Sequence, residues 1–407
     1  MDISIQKSKL LNHQEIQITG SKSESNRLLL LKALYPEIKI ENLSNSDDSV
    51  LMQRALVSND NIIDIHHAGT AMRFLTAYLS IQNGKEVTIT GSSRMKERPI
   101  KILVDALRTL GADITYLDND GFPPLKIVGK KLTKNKVSLN ANVSSQYISA
   151  LLLIASKLEA GLELTLKGKI TSLPYIEMTL SLLNQVGIDT SFVENTIVVK
   201  PNFSVLKPQT LTVESDWSSA SYFYSLIALS EIGTEITIAS YKKESLQGDS
   251  ILAKIYKNLG VKTYYNENSV RLVKVNKVSK KGLIFHLSDA PDIAQTIVVT
   301  AFGLGEACEM TGLQTLKIKE TDRLVALKIE LEKLGAEVII TNSSLRLEAS
   351  SNINANVLIA TYKDHRMAMA FAPLGLKTSI SIENADVVSK SYPQFWEDFR
   401  AIGFNLK

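Results

Sequence analysis

Helix-like stretches that end on an apolar residue and then glycine recur along this chain. They close at Leu107-Arg-Thr-Leu-Gly111, Leu183-Asn-Gln-Val-Gly187, Tyr256-Lys-Asn-Leu-Gly260, Leu331-Glu-Lys-Leu-Gly335 and Phe399-Arg-Ala-Ile-Gly403. A glycine just past the last apolar position is a helix stop, because without a Cβ it takes the left-handed conformation at no steric cost. The five glycines fall 68 to 76 residues apart. After the first four, the pattern changes to two β-rich runs around a polar turn. Ile188–Phe192 and Thr196–Lys200 around Glu194-Asn195 are one case, and Val261–Tyr265 and Ser269–Val273 around Asn266–Asn268 another. Such pairs predict hairpins.

A second helix with a polar start falls inside each period, near Gly69-Thr70, Ser145-Gln146, Ser218-Ser219, Asp292-Ile293 and Asp364-His365, with one more at Ser23–Asn26. Short strands follow most of them, at Glu86–Thr90, Leu162–Leu166, Glu235–Ile238 and Ser379–Ile382. The repeating unit is therefore β-α-β-α-β-β. Six copies fit, the first degenerate, and their natural division is three and three. A period of about 75 residues is too long for a solenoid and suits a compact α/β unit used repeatedly. Thr296–Thr300 is the point of conflict: its β-branched content favours a strand, whereas the repeat register predicts a helix.

Length and composition agree with a multi-domain globular chain. The 407 residues exceed the ~150 expected of one domain, and 44% hydrophobic with 22% charged residues excludes a disordered or fibrous protein. A net charge of +4 is too mild to indicate a nucleic-acid partner. The single cysteine, Cys308, excludes an internal disulfide and a thiolate cluster, and its apolar and acidic neighbours suit packing. The first twenty residues lack signal or transit character, and no stretch reaches ~18 apolar residues. The expectation is a cytoplasmic protein that does not engage a membrane.

The candidate chemistry gathers where the second helices begin. Gly20-Ser-Lys-Ser-Glu-Ser-Asn-Arg27, His67-Ala-Gly-Thr-Ala-Met-Arg73, Ser144-Ser-Gln146, Asp216-Trp-Ser-Ser-Ala220 and Asp364-His-Arg366 are rich in hydroxyls and cations. Any one of them is explained by helix capping. On a common register, with Lys22, Arg27 and Arg366 among them, they describe a site for a strongly anionic ligand, because free N–H groups and the helix dipole favour anions there. Ser93-Arg-Met-Lys-Glu-Arg-Pro99, ahead of a helix that Pro99 is expected to open, and Lys317-Ile-Lys-Glu-Thr-Asp-Arg323 are denser still. In isolation each would be a solvated charged face. Asp292, Lys319 and Glu320 would suit proton transfer if brought together and desolvated. Adjacent His66 and His67 are expected to point apart on a strand with no third ligand at metal spacing. Phosphate-loop, nucleophile-elbow and dinucleotide fingerprints are missing from the sequence.

Together, Gly20-Ser-Lys-Ser-x-Ser-Asn-Arg27, Ala68-Gly-Thr-Ala-Met-Arg73, Arg94-Met-Lys-Glu-Arg-Pro99, Ser144-Ser-Gln146, Pro174-Tyr-Ile176, Lys319-Glu-Thr-Asp-Arg323 and Asp364-His-Arg-Met-Ala-Met369 resemble the 5-enolpyruvylshikimate-3-phosphate synthase family. The likeness runs from about Gly20 to Lys390. It implies a two-domain inside-out α/β fold with three βαβαββ units per domain. One domain would be discontinuous (1–20 plus 215–407) and the other would span 21–214, with an active site in the cleft between them that closes on binding. The implied reaction transfers the enolpyruvyl group of phosphoenolpyruvate to the 5-hydroxyl of shikimate 3-phosphate and releases phosphate. This step of chorismate and aromatic amino acid biosynthesis is the target of glyphosate. The resemblance implies neither metal nor organic cofactor, and a monomer.

By motif position, the resemblance assigns shikimate 3-phosphate to Lys22, Ser23, Arg27, Ser144, Ser145, Gln146, Ser172, Tyr175, Asp292, Thr315 and Lys319. It assigns phosphoenolpyruvate to Lys22, Gly69, Arg94, Gln146, Arg323, Arg366 and Lys390. Asp292 would be the base on the 5-hydroxyl, with Lys319 and Glu320 the remaining proton-transfer pair. The chain departs from the family pattern at His67 and Thr315, where asparagine is common, and at Trp217, where a small residue is. A sister enolpyruvyl transferase acting on UDP-N-acetylglucosamine is the alternative, but Ser23 rather than asparagine follows Lys22 and no cysteine lies before Pro99. An inactive homologue would be expected to lack one of Asp292, Lys319 and Glu320, and all three are present.

Overall fold

The computed structural model of the chain describes residues 1–407 apart from 141–143, 169, 171–172 and 279–281. Contacts divide the chain into two units, Met1–Thr19 with Glu214–Lys407, and Gly20–Val213. Each unit is built inside out. In the Gly20–Val213 unit the helix Gly69–Ser80 packs against Ser145–Ala155 and Lys22–Leu34. In the other, Ala294–Leu304 packs against Trp217–Leu229 and His365–Phe371. Every residue of Trp217–Leu229 is buried, and Ala294–Leu304 is buried up to its last residue. The β-branched run Thr296–Thr300 is thus helical, as the repeat register predicts. Burial on all sides outweighs its propensity for strand.

A helix buried all round must satisfy whatever polar groups it carries. Here they are small hydroxyls that allow close approach and bond locally. Thr76 Oγ1 donates to the Met72 carbonyl at 2.7 Å and Ser80 Oγ to the Thr76 carbonyl at 2.7 Å. Across the other core, Ser221 pairs with Thr296 at 2.9 Å and Thr300 donates to Ser225 at 2.8 Å, each pair separated by 75 residues. These contacts join equivalent positions of successive repeats, so the sequence period is also the packing period.

The sheets lie outside the helices. Three of them read directly as β-α-β-α-β-β: Ile62–Asp64, Glu86–Thr90, Leu125–Val128 and Asp113–Tyr116 in spatial order; Lys136–Asn140, Leu162–Lys167, Thr196–Val199 and Thr190–Val193; and Leu283–His286, Cys308–Thr311, Ser344–Leu347 and Val338–Ile340. In each, the first strand is parallel to the second and a hairpin completes the sheet. The remaining copies exchange strands. Gln14–Gln17 precedes helix Lys22–Leu34 in sequence yet pairs in parallel with Glu235–Ala239, after helix Trp217–Leu229. Gln209–Thr212, which precedes Trp217–Leu229, pairs instead with Ile38–Glu41. This exchange is why the first copy looks degenerate in the sequence. The last copy is closed by Ile3–Ile5, antiparallel to Ile380–Ile382.

The outer helices carry the glycine stops. Lys101–Leu110 buries Leu103, Val104, Leu107 and Leu110, one stripe facing the core, and ends on Gly111. Pro99 does not open this helix as expected. It precedes the N-cap Ile100, and the cationic run before it forms its own short helix, Ser93–Lys96. Among the described residues no helix is long and apolar enough to cross a membrane.

The stop glycines 187 and 260 adopt φ of +88° and +82°, but their surroundings differ. A Cβ on Gly187 would meet nothing within 4 Å, whereas on Gly260 it would lie 2.0 Å from the Asn276 carbonyl oxygen. Gly187→Ala is expected to cost about 1–2 kcal/mol through left-handed strain alone. Gly260→Ala should cost more, about 3 kcal/mol or above, because the backbone at Asn276 must also move. Urea denaturation of the two variants side by side checks the order; equal losses would mean the contact at Asn276 relaxes freely.

Candidate active site

The densest charge cluster of the Met1–Thr19 and Glu214–Lys407 unit is organised around one guanidinium. Asp322 caps the helix Arg323–Lys333 by accepting from Leu324 and Val325 N–H at 3.1 and 3.2 Å, which makes Arg323 the first helical residue. Its side chain is 2% exposed. Nε donates to Asp364 Oδ2 at 2.6 Å, Nη1 to Asp292 Oδ1 at 2.8 Å, and Nη2 to Glu320 Oε2 at 2.9 Å. Three carboxylates distant in sequence thus share one planar cation, whose fixed fork of donors is suited to several acceptors at once.

Further cations surround those carboxylates. Lys319 Nζ lies 3.2 Å from Asp292 Oδ1, and Arg366 Nη2 lies 3.5 Å from Asp292 Oδ2. Arg366 also donates to the Asp292 carbonyl at 2.9 Å and to Ser218 Oγ at 3.1 Å. Lys390 Nζ stands 3.8 Å from Glu320 Oε1. Asp364, fully buried, both receives Arg323 and caps helix His365–Phe371 by accepting the Arg366 N–H at 2.9 Å. Burial alone would raise the Asp292 carboxyl. Lys319, Arg366 and Arg323 outweigh it and hold the group far below the usual carboxylate range. Arg366 is driven the other way, its guanidinium held well above its ordinary value despite burial because Asp292 faces it. Asp292, Lys319, Glu320, Arg323, Arg366 and Lys390, singled out from sequence, therefore form one network. Thr315 lies in the adjacent 3-10 turn Gln314–Ile318, its buried Oγ1 without a hydrogen-bond partner among the described residues.

Asp249 was not legible in the sequence. It sits in the turn Gly248–Ile251 at 5% exposure, accepting the Ser218 hydroxyl on Oδ2, while Oδ1 has no hydrogen-bond partner among the described residues. Burial pushes its carboxyl up to about 6; Arg366 opposes this, and Asp292 and Asp216 add to it. It belongs to no motif and stands in an ordinary polar run, Gln247-Gly-Asp-Ser250, so only the fold reveals it. Trp217, where the family commonly has a small residue, is fully buried: its Nε1–H is donated to Glu214 at 2.8 Å and its ring meets Tyr241 edge-on.

In the Gly20–Val213 unit the arginines are held differently. Arg27, 2% exposed, donates to Thr179 Oγ1 at 2.7 Å, the Ser23 carbonyl at 2.7 Å, Ser149 Oγ at 2.9 Å and the Tyr175 carbonyl at 3.3 Å. These acceptors are neutral, and burial lowers its pKa to about 10, an effect Tyr175 and Glu24 only partly oppose. Arg73 is likewise brought to about 10 by burial and by neighbouring Arg98, while donating to the Gly69 and Pro99 carbonyls at 3.1 and 3.0 Å. Ser144 caps helix Ser145–Ala155, and Gln146 Nε2 donates to Thr70 Oγ1 at 3.2 Å, joining two of the polar helix starts. Lys22 and Ser23 open helix Lys22–Leu34, half-buried.

Arg94 is not held against Gly69. Its side chain is 56% exposed and pairs with Glu97 at 2.8 Å. Arg98 of the same motif takes that place: a Cβ on Gly69 would lie 2.5 Å from its Nη1. Ser172 lies outside the described residues. The expectation for His66 and His67 is corrected. His66 turns the chain at φ +47° beyond the strand Ile62–Asp64, so the imidazoles meet, Nδ1 to Nδ1 at 2.7 Å, instead of pointing apart.

This fold is that of the enolpyruvyl transferases. The chain superposes on EPSP synthase from Acinetobacter baumannii with a TM-score of 0.81 at 21% identity, covering 100% of this chain and 99% of that one. It superposes on the enolpyruvyl transferase NikO from Streptomyces tendae with a TM-score of 0.74 at 13% identity, covering 100% and 98%. The family model for EPSP synthase (3-phosphoshikimate 1-carboxyvinyltransferase) matches residues 51–399. The 3-phosphoshikimate 1-carboxyvinyltransferase of Bacteroides fragilis (strain YCH46) is 48% identical over 397 residues, 96% of each chain. That of Histophilus somni (strain 2336) is 37% identical over 424 residues, again 96% of each. The chain belongs to the EPSP synthase family. The alternative substrate, UDP-N-acetylglucosamine, finds no support among these relatives.

Because folding raises the Asp249 carboxyl from an ordinary 3.8 to about 6, its ionisation weakens the folded state as pH rises through that window. Below about pH 3 the group is protonated in both states and carries no penalty. Asp249→Asn should therefore match wild-type stability near pH 3 and exceed it near pH 7.5 by up to about 3 kcal/mol. Denaturant midpoints at the two pH values test this; a variant that is less stable at the higher pH would assign Asp249 a favourable ionised role.

Proposed function

We propose that the Arg323-centred network carries out enolpyruvyl transfer, with phosphoenolpyruvate as donor and the 5-hydroxyl of shikimate 3-phosphate as acceptor. The observation that carries this reading is Asp292, a carboxylate held ionised between Lys319, Arg323 and Arg366. So stabilised, Asp292 is a weak base. A phosphoenolpyruvate anion that takes N–H groups from Arg366 and Lys319 draws those cations away and raises its proton affinity. Asp292 then accepts the 5-hydroxyl proton as the oxygen bonds to C2 of phosphoenolpyruvate and an acid protonates the vinyl CH2 to a methyl group. The tetrahedral ketal phosphate so formed loses phosphate while a methyl proton returns to a base, restoring the double bond. Lys319 and Glu320 are the groups we assign to the remaining transfers, with Glu320 close to Lys390 as well as to Arg323.

Arg366 and Lys390 bind phosphoenolpyruvate in this reading, along with Lys22, Gly69, Arg94 and Gln146. Arg323 is assigned to the same ligand, with four of its five N–H donors already given to carboxylates. Shikimate 3-phosphate is assigned to Lys22, Ser23, Arg27, Ser144, Ser145, Gln146, Ser172, Tyr175 and Thr315, with Asp292 and Lys319 reaching its 5-hydroxyl. Arg27 contributes a charge that its neutral acceptors leave uncancelled. No metal or cofactor enters these steps, and we propose that the enzyme works as a cytoplasmic monomer.

Asp292→Asn retains size and much of the hydrogen bonding but cannot take the proton. Turnover is expected to fall about 10²–10⁴-fold, while shikimate 3-phosphate binds within about tenfold of wild type. A folded Asp292→Asn enzyme with near-normal turnover would reduce Asp292 to a partner of Arg323. Arg366→Lys, which cannot reproduce a bidentate fork, should raise KM for phosphoenolpyruvate far more than that for shikimate 3-phosphate. Steady-state kinetics with each substrate varied read this out, and equal shifts would remove Arg366 from the phosphoenolpyruvate site.

A further inference from the structure

Two consecutive non-glycine residues, Tyr362 and Lys363, adopt left-handed φ of +54° and +56° immediately before Asp364. Such a pair persists only where its surroundings over-determine it. The surroundings here are the helix Arg323–Lys333, which grips the segment at two points. At its first residue, Arg323 bonds Asp364 at 2.6 Å. Seven residues on, near the same face two turns away, Glu330 is fully buried. Its carboxylate accepts the Ala360 N–H at 3.1 Å and the Tyr362 hydroxyl at 2.6 Å, and is neutralised by Lys333 at 2.7 Å. Burial, with Glu330 as acceptor, raises the Tyr362 phenol above its ordinary range, so it remains a donor at working pH. The turn is closed by the Asp364 N–H on the Thr361 carbonyl at 2.8 Å.

We infer that Glu330 and Tyr362 are positioning residues that hold the left-handed turn at Tyr362-Lys363 and thereby fix Arg366 for phosphoenolpyruvate. This rests on the reading that Arg366 binds that substrate. Neither residue touches the Arg366 guanidinium in the network described, so the effect passes through backbone. Asp364 and Arg366 follow the turn directly, and the Asp364 cap on the Arg366 N–H keeps the register.

The test is steady-state kinetics on the intact enzyme, with Arg366→Lys measured beside Glu330→Gln, Tyr362→Phe and the double variant Glu330→Gln with Lys363→Gly. Glu330→Gln should raise KM for phosphoenolpyruvate about tenfold and Tyr362→Phe about threefold, leaving KM for shikimate 3-phosphate within about twofold. Glycine at 363 takes the left-handed conformation without restraint, so the double variant should recover most of the Glu330→Gln loss. A purely structural Glu330 would lower stability without this split and without rescue. If Glu330→Gln does not fold, Tyr362→Phe decides alone. Should Arg366→Lys raise KM for phosphoenolpyruvate while Tyr362→Phe leaves it unchanged, the positioning role is wrong and the assignment of Arg366 stands. Should Arg366→Lys leave it unchanged, that assignment fails and the positioning role falls with it.

Discussion

One buried guanidinium holds together the charge network of the Met1–Thr19 and Glu214–Lys407 unit. Arg323 joins the turn at Asp292, the loop at Glu320 and the helix start at Asp364, three places brought together only by the fold. Burial would drive the Asp292 carboxylate toward its neutral form, and Arg323 is one of the cations that oppose this. Asp292 and Glu320 in turn face Lys319, Arg366 and Lys390 at 3.2 to 3.8 Å. Without it, Asp364 would be a buried charge lacking its principal counter-ion, the situation in which breaking an ion pair is strongly destabilising. The network is therefore less a source of net stability than a device that sets the position and charge of each member.

The inside-out architecture supplies the places where such a network is built. Helices buried on every side have only their ends free for polar chemistry, and small hydroxyls such as Ser221, Thr296 and Thr300 keep their flanks satisfied. Because the helices repeat on one register, their polar starts recur at equivalent positions. Ser144, Asp216 and Asp364 are all ordinary caps by their hydrogen bonds. Asp364 shows that capping and site-building are not alternatives, since the same carboxylate orders a helix and anchors Arg323.

What sequence could reveal was what is local or periodic. The stop glycines, the hairpins and the polar helix starts each leave a signature within a few residues, and the repeat period decided Thr296–Thr300 against its own propensity. The exchange of Gln14–Gln17 with Gln209–Thr212 leaves no such mark, because either strand would satisfy the pattern in either sheet. The run Lys319-Glu-Thr-Asp-Arg323 brought out Glu320 and Arg323 together, and Asp292 stood out separately, but nothing in the sequence showed that one cation binds both carboxylates. Asp249 and Glu330 were invisible for the same reason: a single acid in a polar run or on a helix acquires meaning only from partners far away in the chain. His66 and His67 failed differently, through one positive φ that turned an expected strand into a contact between rings.

The two units hold their buried arginines in different ways. Around Arg323, cations and carboxylates are matched nearly one for one, so an incoming anion must compete for donors, and each competition changes the proton affinity of a neighbouring acid. That is the environment proton transfer requires. Around Arg27 and Arg73 the acceptors are hydroxyls and carbonyls, and the guanidinium charge is left to act outward. An anion there would displace only neutral acceptors, since Arg27 already donates four hydrogen bonds inside the unit. A chain assembled from six copies of one motif thus gives its buried arginines different hydrogen-bond acceptors in its two units, carboxylates around Arg323 and neutral groups around Arg27 and Arg73.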